Sequence, residues 1–223
     1  MAPKQPLNLI QFQKTFSTEE ACYQHMYQIK WPEGFHCPKC GHDQAYEIKT
    51  RKQPLYECTE CKHQTTLKVG TVFEKSRTDL AKWFWAIFLI AHDKRGVSAT
   101  FLADELGIAY QTAWTMQHKI RKAMSKRDSM YSLAGIVELD EAFFGAPTEG
   151  GKRGRGTEQT PVLVALSLRK GHNPWRRLST HLQAYLDEFC YRFNRRIVKN
   201  QLFNRLVQCC LSTTVVTYPE LVG

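Results

Sequence analysis

Two pairs of cysteines constrain this chain more than any other feature. "CPKC" (Cys37, Cys40) and "CTEC" (Cys58, Cys61) are separated by 17 residues. A C-x2-C-x17-C-x2-C pattern falls in the range of structural zinc sites. Two intervening residues let one tight turn present two thiolates as two corners of a tetrahedron. A second such knuckle closes it, with zinc–sulfur bonds of about 2.3 Å. Four thiolates leave no open position, so the ion is expected to be structural. The short alternating runs around the cysteines, "AYEIKT" and "LYECTECKHQTTLKVGTVF", read as small strands. A module this small has too little interior to fold alone, and metal binding supplies the missing free energy. Residues 35–75 are therefore expected to form a zinc ribbon. His36, His42 and His63 lie close by but are not needed as ligands, and a surface position is their default. Cys22, Cys190, Cys209 and Cys210 lack knuckle spacing and read as packing residues.

Helical patterns flank this module. Residues 1–34 form a helical lead-in, with Ser17 and Glu20 in capping-box spacing and Cys22, His25, Met26 and Ile29 on one face. After the ribbon, Ser76 and Asp79 suggest a capped start. Leu80, Trp83, Phe84, Ile87, Phe88 and Ala91 then repeat at the spacing of a core-facing helix. "SATFLADELGIAYQTAWTMQHKIRKAMSKR" (98–127) follows: a short helix ending at Gly107, a three-residue turn, and a longer helix from about Tyr110. That layout predicts a helix-turn-helix over 76–127, whose second helix would enter a DNA major groove. Ala113, Met116 and Ile120 should face the core. Gln111, Thr112, Thr115 and His118 are placed to reach base edges. Lys119, Arg121, Lys122, Lys126 and Arg127 are placed to hold phosphates. No acidic residue interrupts 110–127. An ordinary helical hairpin with a solvated basic face is the alternative.

Charge supports the first option. The net charge is +10, from 31 basic and 21 acidic residues. Such an excess on a water-exposed surface suits a polyanion, most often nucleic acid. The longest apolar run, "WFWAIFLIA", is about half the roughly 18 residues a membrane span needs. The first residues carry no secretory signal pattern. A cytoplasmic setting follows, in which reduced thiols favour metal over disulfides.

Residues 133–168 read as two strands, "LAGIVELDEAFF" and "TPVLVALSL", around a Gly-rich basic loop. A helix begins near Ser179, with Leu182, Tyr185, Leu186, Phe189, Phe193 and Ile197 as its apolar stripe. A last helix spans about 200–211, and 212–223 reads as a loose tail.

With these residues in hand, the chain resembles a bacterial insertion-sequence transposase. It is similar to the ISXO-type group, which carries a zinc ribbon before a DDE catalytic domain. The stretches that carry the resemblance are "KWPEGFHCPKCG", "YECTECKHQTTLKVGTVFE", "KRGVSATFLADELGIAYQTAWTMQHKIRKAM", "GIVELDEAFFGA" and "HLQAYLDEFCYRFNRR", from roughly Leu9 to Leu211. The resemblance implies an α+β multi-domain chain: zinc ribbon, helix-turn-helix, then an incomplete RNase H-like α/β domain over 133–211. It implies binding to the terminal inverted repeats of a mobile element, with self-association open to such a chain. It further implies two Mg2+ ions held by acidic residues, which activate water and then a DNA 3′-hydroxyl for attack on phosphodiesters. Asp140 matches the first catalytic aspartate of that group. Adjacent Glu141 should point to the opposite face of the strand.

The partners of Asp140 are missing. In the family, a second aspartate and a third acidic residue lie between "TPVLVALSL" and "HLQAYLDEFCYRFNRR". Here that interval is "RKGHNPWRRLST", twelve residues without an acid. Of the later carboxylates, Glu149, Glu158, Asp187, Glu188 and Glu220, none matches a catalytic position. One carboxylate holds Mg2+ only weakly. The chain therefore reads as an internally deleted transposase that binds DNA and is catalytically defective. The alternatives are an active Mg2+-dependent transposase that recruits Asp187 or Glu188, and a zinc-ribbon regulator. A regulator has no need of "GIVELDEAFFG" or "YLDEFCYRFNRR". Strands left with open edges by the deletion would invite association.

Overall fold

A computed structural model describes residues 7–48, 50, 53–93, 96–131, 137–144, 150, 159–167 and 180–222. Most of the Gly-rich basic loop after Phe144 and of the acid-free interval after Ser167 lies outside the described residues.

Helix α1 (Leu9–Thr15) opens on a reciprocal cap. Asn8 Oδ1 accepts from Gln11 N at 2.8 Å, and Gln11 Oε1 accepts from Asn8 N at 3.2 Å. Helix α2 (Glu19–Lys30) is capped by Thr18, whose hydroxyl accepts from Ala21 N at 3.2 Å. Ser17 is not the cap: it lies one residue outside the helix, and the extended backbone needed for capping falls on Thr18. The face expected to be inside is inside, with Cys22 and Met26 fully buried.

Three short antiparallel strands follow, β1 (Ala45–Ile48), β2 (Leu55–Cys58) and β3 (Gln64–Thr66), in the order β1-β2-β3. The sheet leans on α2 through rings: Trp31 lies 5.2 Å from Tyr56 and 5.0 Å from Phe35, and Tyr27 lies 5.6 Å from Tyr56. Lys30 Nζ closes the seam, donating to the carbonyls of Leu67 and Val69 at 2.9 Å each.

Helix α3 (Leu80–His92) buries Leu80, Trp83, Phe84, Ile87 and Phe88, as their spacing requires. Its start is not capped by the Asp79 side chain. Glu19 Oε1, from the first turn of α2, accepts from Ala81 N at 3.1 Å, and Ser76 Oγ accepts from Trp83 Nε1 at 3.0 Å. Helix α4 (Ala99–Leu106) is capped by Ser98 and ends at Gly107, whose φ of +55° is left-handed. Residues 107–109 then turn the chain into α5 (Tyr110–Asp128).

Strands β4 (Val137–Phe144) and β5 (Thr160–Ser167) pair antiparallel in a two-stranded sheet; only their backbone placement is described. Beyond them lie α6 (Thr180–Asn194), a 3-10 segment (Arg196–Gln201), α7 (Leu202–Ser212) and α8 (Pro219–Val222). Helix α7 returns to the front of the chain. Phe203 enters an aromatic cluster with Phe12, Phe16, Phe84 and Phe88, at centroid distances from 5.3 to 6.4 Å. Burial of several such rings, at ~1.5–3 kcal/mol each, makes this the main apolar store of the fold. Val72 N also donates to Cys210 O at 3.2 Å, tying the end of the ribbon to α7.

Two expectations are corrected. The expected apolar stripe of α6 divides: Phe189 and Phe193 are exposed, Leu186 is buried, and Tyr185, half exposed, lies against Arg121 of α5. Its inward face, packed on α5, carries Leu186, Glu188, Cys190 and Tyr191. The stripe is displaced because charges are satisfied inside. Glu188 Oε2 accepts from Arg121 Nε at 2.7 Å, Glu188 also pairs with Arg192 at 3.2 Å, and Arg195 pairs with Asp128 at 2.7 Å. Nor is the segment after α7 loose, since Thr213 and Val216 are buried. No helix among the described residues is long and apolar enough to cross a membrane.

Candidate metal centre and nucleic-acid interface

The two cysteine knuckles are built alike. In the first, Cys37 N donates to His42 O at 2.8 Å and Gly41 N to Cys37 O at 2.9 Å. In the second, Cys58 N donates to His63 O at 3.0 Å and Lys62 N to Cys58 O at 3.1 Å. Gly41 and Lys62 occupy the same place in each turn and share a left-handed φ, +79° and +55°. One local fold thus presents two thiols twice.

The four sulfurs converge. Cys37 and Cys61 Sγ lie 3.6 Å apart, as do Cys40 and Cys58 Sγ, and all four lie within 4.8 Å of one another. A tetrahedron with bonds of 2.3 Å has edges of about 3.8 Å, whereas a disulfide needs about 2.05 Å. The spacing fits a tetrathiolate zinc. Burial opposes ionisation of Cys37, but the N–H groups of Cys40 and Lys39 and the neighbouring thiols outweigh it and lower its pKa, while the same shared thiol hydrogen bonds raise that of Cys40. Among the described residues no other group of three or more His, Cys, Asp or Glu side chains converges this way. His36, His42 and His63 stand outside the ligand set.

Helix α5 has three kinds of surface. Ala113, Met116 and Ile120 are buried, as expected. Gln111, Thr115, Lys119, Lys122 and Lys126 fall within less than a quarter-turn of one another about the axis, forming a lengthwise polar stripe. Gln111 and Lys122 are exposed, and Thr115, Lys119 and Lys126 are half-buried. Lys119 Nζ approaches Val72 O at 3.4 Å, and burial lowers its pKa. Thr112 borders the stripe, and Arg127 lies further round the helix on the same side, over the Tyr131 ring at 5.5 Å.

His118 and Arg121, expected from the sequence to reach bases and phosphates, are placed inside. Each is at least nine-tenths buried. Arg121 pairs with Glu188, and its guanidinium lies 3.9 Å from the Tyr185 ring centroid. The His118 ring lies tilted against that of Trp114, with centroids 4.1 Å apart. Neither faces solvent, because α6 covers that side of α5.

Asp140 sits in the middle of β4 opposite Val164. Its side chain, like that of Glu141, lies outside the described residues. Of the carboxylates considered as substitutes, Glu188 is held in its ion pairs and Asp187 accepts from Gln183 at 2.7 Å. Sequence reasoning missed Tyr218 and Thr214, which reach α5: Gln111 Nε2 donates to Tyr218 Oη at 3.3 Å, and Lys126 Nζ to Thr214 Oγ1 at 2.8 Å. A tail rich in Thr and Val gave no periodic signal.

Residues 17–64 match the family model described as a transposase zinc-ribbon domain, of the IS1595 type. The match begins at α2, in keeping with the ring contacts that seat α2 on the sheet. The chain is 29% identical over 167 residues to an uncharacterized protein in transposable element ISH50 of Halobacterium salinarum. That alignment covers 68% of this chain and 55% of the relative, so the chain spans about half the relative's length. No solved structure is significantly similar to the chain. The chain carries a transposase-type zinc ribbon, and both similarities lie among transposable-element proteins.

Proposed function

We propose that the chain is an insertion-sequence transposase protein that grips DNA at the ends of a mobile element and does not cut it unaided. The observation that carries this reading is the α5 stripe. Gln111, Thr115, Lys119, Lys122 and Lys126 share one face of a helix that follows α4 after a three-residue turn. No acidic side chain lies on α5 before Asp128. In this arrangement Gln111 and Thr115, with Thr112 beside them, meet base edges in the major groove. Lys122, Lys126 and Arg127 hold phosphates. Lys119 joins them once it leaves Val72. His118 and Arg121 serve the packing of α5 against α6.

The zinc would be held by Cys37, Cys40, Cys58 and Cys61. It would supply rigidity and no open coordination site. The ribbon's trailing loop touches α2, α5 and α7, so metal binding also fixes the seat of α5.

The absence of unaided cleavage rests on ligand number. Two-metal chemistry needs carboxylates from several elements within about 4 Å of metal spacing. Asp140 brings one, and Glu188 is neutralised by two arginines. The test uses the full chain with a labelled duplex of the element's terminal repeat and Mg2+. We expect a shifted complex that is weakened by Lys122→Ala with Lys126→Ala, and no strand cleavage. Cleavage that disappears in Asp140→Ala would establish an active enzyme instead. Loss of no binding in the lysine variant would remove α5 as the interface.

A further inference from the structure

The segment after α7 lies lengthwise on α5. At the far end of the stripe, Lys126 donates to Thr214 at 2.8 Å. At its start, Gln111 donates to Tyr218 at 3.3 Å, and the Tyr218 ring lies 6.0 Å from that of Trp114. Gln111 and Lys126 are about 22 Å apart along the axis at 1.5 Å per residue. Four extended residues cover about 13 Å, and the Lys, Gln and Tyr side chains span the rest. The segment therefore runs antiparallel to the helix. It is anchored between these contacts by Val216, which is 2% exposed, and beyond them by Leu221, which packs on the core.

Its chemistry mimics a ligand of the stripe. Thr214 offers a lysine an oxygen, as a phosphate would. Tyr218 offers Gln111 an acceptor, as a base edge would. Glu220 is exposed, and its carboxyl is held below the usual range by the Thr217 N–H and hydroxyl first, and then by Lys126 and Lys122. A negative charge thus lies within electrostatic reach of the two lysines assigned to phosphates.

We infer that residues 213–222 form an autoinhibitory strap, occupying the α5 stripe until nucleic acid displaces it. The inference rests on the reading of α5 as the DNA-binding helix. Tyr218 is half exposed and can be truncated without opening the core.

The test compares wild type with Tyr218→Ala, a change that leaves the net charge alone, by fluorescence anisotropy on a labelled duplex at fixed salt. Freeing the stripe should tighten binding about fivefold, since apparent affinity scales with the competent fraction. Hydrogen exchange in 213–222 should accelerate when DNA binds wild type. Equal or weaker binding by the variant, with exchange at 213–222 unchanged or slowed by DNA, would overturn the strap while leaving α5 as the interface. If neither chain binds at any salt, the reading of α5 falls and the strap with it. A variant that binds where wild type does not would be the strap at its strongest.

Discussion

The zinc ribbon and the helical body of this chain solve the same problem by different means. The ribbon is three strands of three or four residues, and beside its rings against α2 and a few buried side chains such as Leu55 and Leu67 it gathers four sulfurs at one point. The helical body gathers Phe12, Phe16, Phe84, Phe88 and Phe203 from three helices, α1 with its C-cap, α3 and α7, into one cluster, and seats a buried ion-pair network between α5 and α6. One region is stapled and the other is packed. A stapled region is written locally in the sequence, because its ligands must be spaced for a turn. A packed region is written over long distances, and Phe203 reaches partners almost two hundred residues earlier.

The largest expected effect follows from the staple. Metal binding of this class contributes about 10–16 kcal/mol at neutral pH. Zinc removal by a chelator, or Cys58→Ser, should unfold β1–β3 while α3–α7 keep most of their helical signal. Elemental analysis should find one zinc per chain. Amide protection in β2 that survives chelation would erase the contrast between the two regions.

The next effect tests the body. Arg121 and Glu188 form an ion pair almost wholly out of water. Removing one partner strands the other charge, so Glu188→Ala should cost about 3–5 kcal/mol in denaturant unfolding, while replacing the pair with Arg121→Met and Glu188→Leu should recover most of it. A single variant as stable as wild type would mean that the pair does not hold α6 to α5.

The smallest effect is a pH dependence. His25 is enclosed by Phe16, Phe84 and Phe203 and contacts Asn204 Oδ1 at 3.1 Å. Burial lowers its pKa below 6.5, and the Asn204 bond offsets this only in part. The folded state then binds fewer protons than the unfolded chain in the window just below 6.5. Stability should fall as pH drops from about 6.5 toward the folded-state value and be unaffected above it. His25→Gln should flatten that slope. The cysteines are common to both chains, so the difference between them isolates His25. Parallel slopes would contradict the assignment.

Much of this was legible in the residues. The knuckle spacing named the ligands, Gly107 marked the turn before α5, and the spacing of Leu80 to Phe88 gave α3 its buried face. The inward face of α6 was not legible. Phe189 and Phe193 have the spacing of a core stripe, yet burial went to Glu188 and Tyr191, because Glu188 finds Arg121 67 residues away. Hydrophobic periodicity cannot see a charge that is neutralised by a distant partner. The same limit hid Arg121 and His118 among the expected DNA contacts. Helical spacing placed them beside the stripe, and α6 then covered them. Thr18 in place of Ser17 is a smaller case, since adjacent hydroxyls offer the same capping chemistry and only backbone conformation chooses between them.

Contact between the α5 stripe and phosphates is what ties the helical body to DNA. The direct measurement is the salt dependence of duplex affinity for wild type and for the chain carrying Lys122→Ala and Lys126→Ala. Each phosphate contact contributes about 0.9 to the slope of log affinity against log salt. The slope of the double variant should be shallower by nearly two. Superimposable slopes would contradict it.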